Sequence, residues 1–189
     1  MAEFVNTFFE ERVDRLFDLG ELVEQIFSSA GLDYRIVGGL AVYLYVEECE
    51  PDAGRLTKDI DIAVRREDLS KIAKSAEAFG LQYHHVPGMA MLVPAGQPSA
   101  RRAVHLVFAG EKVRPEYPEQ TPDLGPYRRL RGLRLIPLAD LVRMKLTSFR
   151  ASDEAHVKDL DEAGLITPEV ESGLSPALAD RLARVRSRP

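Results

Sequence analysis

Apolar residues recur along the chain with two periods, and the switches between them outline the predicted elements. Phe4, Phe8, Val13, Phe17, Leu22, Val23 and Ile26 fall near helical spacing, which predicts a helix over 4–30 with Gly20 as a candidate break. A buried strand follows over 32–37, then Gly38-Gly39 and a second, amphipathic segment over 40–48. Residues 49–57 read as a Pro/Gly loop of the kind that holds functional groups beside a rigid scaffold. In KDIDIAV, residues 58–64, strict alternation sends Asp59, Asp61 and Ala63 to one face and Ile60, Ile62 and Val64 to the other.

Beyond this strand the pattern predicts a helix over 66–79, ended by Gly80 at C′. A strand pair over 81–86 and 89–93 flanks Pro87-Gly88, and AVHLVF, 103–108, is a further strand. The proline-rich stretch 111–126 is a loop that either closes over a substrate or connects elements. A strand over 132–136 leads to Pro137 at the first position of a helix running to 149, with a second helix around 156–161. Thr167-Pro168 and Ser175-Pro176 open the last helical segments, and the tail 186–189 frays. The expected class is α/β (α+β): a small mixed, twisted sheet flanked by helices. One domain is expected, with a core over about 1–136 and a helical part over about 137–189.

Composition narrows the function classes. A chain of 189 residues, 45% hydrophobic and 29% charged, has the make-up of an ordinary globular protein with a sizeable core. No apolar run approaches the ~20 residues that span a bilayer, so no membrane partner is expected. The N-terminus is acidic where a signal peptide is basic, and the single Cys49 excludes an internal disulfide; both favour the cytoplasm. Cys49 has no basic neighbour in its Glu-rich loop and is not read as a nucleophile. A net charge of −5 argues against broad nucleic-acid binding, and no DNA partner is evident. Two arginine groups, 128–134 and 181–188, remain either solvated faces or contacts for RNA phosphates.

The chemistry-bearing stretch is 36–64. Two carboxylates pointing the same way from one strand are costly unless a cation sits between them or one is protonated. Mg²⁺ is the economical cation, because hard ions choose carboxylate oxygen; a solvated edge-strand face is the alternative. Gly38-Gly39 lets the backbone approach a ligand, and the helix start after it is a phosphate site. A phosphate cradle followed by a metal-binding pair suits phosphoryl or nucleotidyl transfer. A P-loop phosphotransferase is excluded, since no G-x-x-x-x-G-K-[ST] occurs. His84 and His85 face opposite ways on their strand and do not share a metal site easily.

Strand, Gly38-Gly39, helix, then Arg55-x-Thr57-x-Asp59-Ile60-Asp61-Ile62 resembles the nucleotidyltransferase (polymerase β-like) superfamily over roughly residues 33–165. The lead-in 55–59 is similar to the branch of abortive-infection, toxin-like nucleotidyltransferases. The resemblance implies Mg²⁺-dependent transfer of a nucleoside monophosphate from a nucleoside triphosphate to an acceptor hydroxyl on RNA, protein or a small molecule. It further implies a toxin–antitoxin setting with a partner protein. Asp59 and Asp61 would be metal ligands and catalytic residues; Gly38, Gly39, Arg55 and Thr57 would bind the nucleotide. Lys145, in PLADLVRMKLTSFR, would meet the triphosphate, and Asp159 of HVKDLD would tie its helix to the core through Arg150 or Lys145. The chain departs from the family at the third acidic position, where His105 stands, either as metal ligand, as general base or as a packing residue. Glu111 is a reserve acid. That departure supports an alternative: a non-catalytic member of the fold that binds a nucleotide or a partner.

Overall fold

The computed structural model describes residues 2–51, 53–55, 57, 59–96 and 103–188, with side chains from 13 onward. Leu56 and Lys58 of the lead-in, and the side chains of Phe4 and Phe8, therefore lie outside the described residues. Helices are α1 (Ala2–Ser29), α2 (Gly38–Cys49), α3 (Leu69–Glu77), α4 (Leu138–Ser148), α5 (Ala151–Glu162), α6 (Pro168–Ser172) and α7 (Pro176–Arg186). Strands are β1 (Arg35–Val37), β2 (Ile60–Val64), β3 (Leu81–Val86), β4 (Met89–Pro94), β5 (Val104–Phe108), β6 (Arg128–Leu130) and β7 (Leu133–Leu135). They form one mixed sheet in the order β3-β4-β5-β2-β1-β7-β6, parallel at β2–β5 and β1–β7 and antiparallel elsewhere. The expected α/β class and mixed sheet are observed. Among the described residues, no helix is long and apolar enough to cross a membrane.

Several boundaries differ from expectation for physical reasons. Helix α1 is continuous through Gly20, which is buried where any Cβ would press on Leu133 Cδ1 at 3.0 Å. That glycine serves helix–strand packing rather than a break. Helix α2 is not amphipathic: every residue from Gly39 to Val46 is buried, so it is a central helix, apolar all round. It also begins at Gly38 itself, leaving no separate turn after β1. The N-terminal strand is only three residues long, with Tyr34 before it buried against Phe27 at a ring separation of 4.9 Å. Pro137 precedes α4 as its cap residue instead of opening it.

The expected strand at 132–136 is the second half of a hairpin. Leu130 pairs with Leu133 across Arg131 (φ 45°) and Gly132 (φ 80°), the two positive φ angles a tight two-residue turn requires. Its arginines are spent internally. Arg128 donates to Glu48 at 2.8 Å, and Arg134 donates to Glu24 at 2.9 Å. Farther along the chain, Arg186 bridges Asp161 and Glu171, and Arg181 donates to the carbonyls of Leu146 and Thr147. Each arginine group thus has internal partners, while Arg131 and Arg184 are exposed and lie over the Phe17 and Phe149 rings.

Candidate active site

β2 lies between β1 and β5, so a single register places three site positions side by side. Asp61 is level with Val37 on one side and with His105 on the other. Gly38 follows Val37 directly, at the first turn of α2. Its φ is +68°, a conformation glycine tolerates, and a Cβ there would come within 2.8 Å of Cβ and Cγ of Asp61 and collide with Oδ2. The backbone of the helix start is thereby pressed against the carboxylate. No side chain caps α2 and no acid occupies its first turn, so its N-terminal N–H groups are left for a ligand.

His105 completes this group. Its Nδ1 lies 3.3 Å from Oδ1 of Asp61. A carboxylate only accepts, so Nδ1 carries the proton and Nε2 of the neutral ring is an acceptor. The hydrogen bond to Asp61 raises the imidazole above its usual range, against burial, which lowers it. Nε2 is buried and has no partner. His105, Asp61 and Gly38 all line one cavity of ≈ 380 Å³.

Lys145 reaches the same cavity from α4. It is buried, and its Nζ donates to Oδ1 of Asp153 at 3.1 Å. Asp153, also buried, takes further hydrogen bonds from Ser148 Oγ at 2.8 Å and Arg150 Nε at 2.8 Å. Burial alone would raise this carboxyl, yet Arg150, Lys145 and Ser148 together hold it down to about 2. Asp159 is not the partner of Lys145 or Arg150: it pairs with Arg55 at 2.8 Å. Asp153 takes that place because it is the third residue of α5, where its carboxylate also accepts the Arg150 N–H in a capping box.

Gly39, Arg55 and Thr57 stand beside the cavity, whereas Glu111 is part of its wall. Thr57 Oγ1 donates to the carbonyl of Asp59 at 3.4 Å, just ahead of β2. Gly39 packs so closely that a Cβ would meet Thr57 Oγ1 at 2.8 Å and His156 Cε1 at 3.5 Å. Glu111 is committed to Arg66 through two hydrogen bonds of 2.6 Å, so the reserve acid is already engaged. Asp153 and Arg66 were not singled out by sequence, whereas the 112–117 segment belongs to the proline-rich loop expected over 111–126, and it lines the cavity. Only the acid at the third position of α5 had a local signal.

Among the described residues, no group of three His, Cys, Asp or Glu forms a ready-made metal cage. Mg²⁺ rarely needs one: it is usually held by one or two carboxylates, with substrate phosphates and water completing the shell. The carboxylate of Asp61, with the Gly38 backbone packed behind it, fits that manner of binding, while Asp59 stands one residue ahead of β2, near enough for its charge to act on His105.

No protein-family model and no curated protein sequence matches the chain. Solved structures do. A nucleotidyltransferase-like antigenic protein from Paracoccidioides brasiliensis superposes with TM-score 0.59 at 20% identity, covering 93% of this chain and 89% of that one. The Megavirus polyadenylate synthase gives 0.55 at 12% identity, covering 84% of this chain and 32% of its own. ANT(2″)-Ia, in complex with adenylyl-2″-tobramycin, gives 0.53 at 13% identity, covering 89% and 97%. The seven-stranded mixed sheet and the helices that flank it thus form a nucleotidyltransferase-like fold.

Proposed function

We propose that this protein transfers a nucleoside monophosphate from a nucleoside triphosphate to an acceptor hydroxyl. The observation that carries this is the Asp61–His105 pair, set against the Gly38 start of α2 in the cavity that also receives Lys145. The α2 N–H groups and the Lys145 ammonium offset the charge of the triphosphate, and Asp153 keeps that ammonium in place. Gly39, Thr57 and Arg55 shape the backbone around the same helix start. His105 Nε2 takes the proton of the acceptor hydroxyl, with Asp61 orienting the ring through Nδ1. The acceptor oxygen bonds to the α-phosphorus, the bond from that phosphorus to the bridging oxygen breaks, and pyrophosphate leaves. Asp59 and Asp61 would hold Mg²⁺, which when bound neutralises charge on the phosphates.

The finer reading is a cytoplasmic toxin–antitoxin component acting with a partner protein, and it rests on the likeness of residues 55–61 and 145–161 to the toxin-like branch. One solved neighbour holds adenylyl-2″-tobramycin and another is a polyadenylate synthase, so they leave the acceptor open. One observation favours a second reading, binding without transfer: an imidazole stands where the superfamily places a third carboxylate.

Thermal unfolding with each of the four nucleoside triphosphates, with and without Mg²⁺, tests the proposal, because a ligand specific to the folded state raises the melting point. The expected outcome is a shift that needs both metal and one triphosphate and disappears in Asp61→Asn. No shift with any triphosphate would remove the proposal.

A further inference from the structure

The half of the cavity beyond His105 is walled by β4, the end of β5 and the segment 111–121, and its chemistry is unlike that of the phosphate half. The segment is an Ω-shaped loop closed at its neck: Gly110 N–H donates to the Thr121 carbonyl at 2.9 Å, and Thr121 N–H to the Glu111 carbonyl at 2.8 Å. Arg66 clamps Glu111 at one end. At the other, Glu119 accepts from Arg143 at 3.0 Å and Ser175 at 2.6 Å. Pro115 and Pro118 stiffen the span between. The loop is therefore preorganised, and it presents Lys112, Val113 and Arg114 to the cavity, opposite Met89 of β4.

Charge in this cavity is unevenly committed. Its four carboxylates are all engaged: Asp61 with His105, Glu111 with Arg66, Glu119 with Arg143, and Asp153 with Lys145 and Arg150. Lys112 has no carboxylate partner among the described residues, and Arg114 has only Glu116 at 3.8 Å, both well exposed. Among the described residues, a polycationic acceptor would find every carboxylate of the cavity wall already paired, whereas an anion finds Lys112 unpaired and Arg114 held only by that 3.8 Å contact. Beside them, Met89 and Val113 are more than 40% exposed, an apolar patch at the mouth without a partner.

Building on the transfer reading above, we infer that the acceptor is a phosphate-bearing molecule with a flat ring: a nucleotide, free or at the end of an oligonucleotide. Lys112 and Arg114 hold its phosphate, Met89 and Val113 meet its ring, and its hydroxyl points toward His105. This charge distribution suits a transferase for aminosugars poorly, even though the fold is shared.

The test is fluorescence anisotropy of the full chain with a 5′-labelled short oligoribonucleotide ending in a free 3′-hydroxyl. A labelled polycationic aminosugar runs in parallel. The double variant Lys112→Glu/Arg114→Glu is expected to bind the oligonucleotide at least thirtyfold more weakly, with the slope of log K against log salt reduced by roughly 1.4. Both side chains are exposed, so its melting point without ligand stays at the wild-type value, and a triphosphate-dependent rise persists. Competition by a nucleoside 5′-monophosphate as strong as by unlabelled oligonucleotide identifies a free nucleotide as the source; competition by the oligonucleotide alone identifies a nucleic-acid end. No oligonucleotide binding, equal binding by the double variant, or tighter binding of the aminosugar overturns the inference. Loss of oligonucleotide binding in the variant, in a protein that no triphosphate stabilises, would instead sink the transfer reading and leave the anion site standing.

Discussion

At Gly38 the chain passes with φ +68° straight into α2, and its Cα faces the carboxylate of Asp61. Two separate penalties await any side chain there. The left-handed backbone costs an L-residue about 1–2 kcal/mol, and the added Cβ must displace Asp61. Gly31 separates the two effects, because its φ is +63° but nothing lies within 4 Å of its missing Cβ. Gly31→Ala is expected to lower unfolding stability by about 1–2 kcal/mol and keep the full triphosphate response. Gly38→Ala should lose that response as well. Denaturant unfolding paired with nucleotide titration decides it: equal nucleotide responses in the two variants would show that Gly38 matters only for its backbone.

The turn between α4 and α5 sets Lys145 and Asp153 in place, and it is built from a strained residue and an outside brace. Phe149 closes α4 in the left-handed region at φ 48°. Arg181 of α7 donates to the carbonyls of Leu146 and Thr147, 2.7 Å each, and its guanidinium lies 5.0 Å from the Phe149 ring centre. Arg181→Ala is expected to cost about 2 kcal/mol, since charge-assisted hydrogen bonds contribute about 1.5–3 kcal/mol, and to weaken triphosphate binding with it. A stability loss that leaves nucleotide affinity unchanged would show that the turn does not organise the phosphate half of the site. The sequence carried parts of this plan unequally. Helical spacing, the Gly38-Gly39 start and the alternation through Asp61 are local signals that the structure follows, although β2 begins only after Asp59. Arg181 meets α4 from 35 residues away, and Arg55 meets Asp159 from 104 away, so no spacing rule reaches them. The β6–β7 hairpin did have a local mark, Arg131-Gly132 between apolar positions. It was weaker than the usual Asn-Gly because arginine rarely adopts positive φ.

Over the whole molecule the site elements converge on a buried histidine that no proposed step uses. His156 of α5 abuts Gly39 and is surrounded by Lys145, Asp153, Asp159 and Arg55. Burial, reinforced by the Lys145 charge, disfavours its protonated form and pushes the imidazole down to about 4; its Nδ1 is buried without a partner. In the unfolded chain the same ring titrates near ~6.5. A folded-state value below the unfolded one means that this contribution is whole above pH ~6.5. It is lost as pH falls toward the folded value, because the unfolded state takes up the proton first. The loss amounts to about 2 kcal/mol by pH ~4.5. Asp153 stays ionised throughout that window, since its own value is about 2. His105 is shifted the opposite way and gains stability on acidification, but it is present in both proteins and cancels in a comparison. His156→Gln is therefore expected to match the parent near pH 7.5 and to be more stable by about 2 kcal/mol at pH ~4.5. Urea unfolding at the two pH values measures this, and parallel stability profiles would show that the ring is solvated.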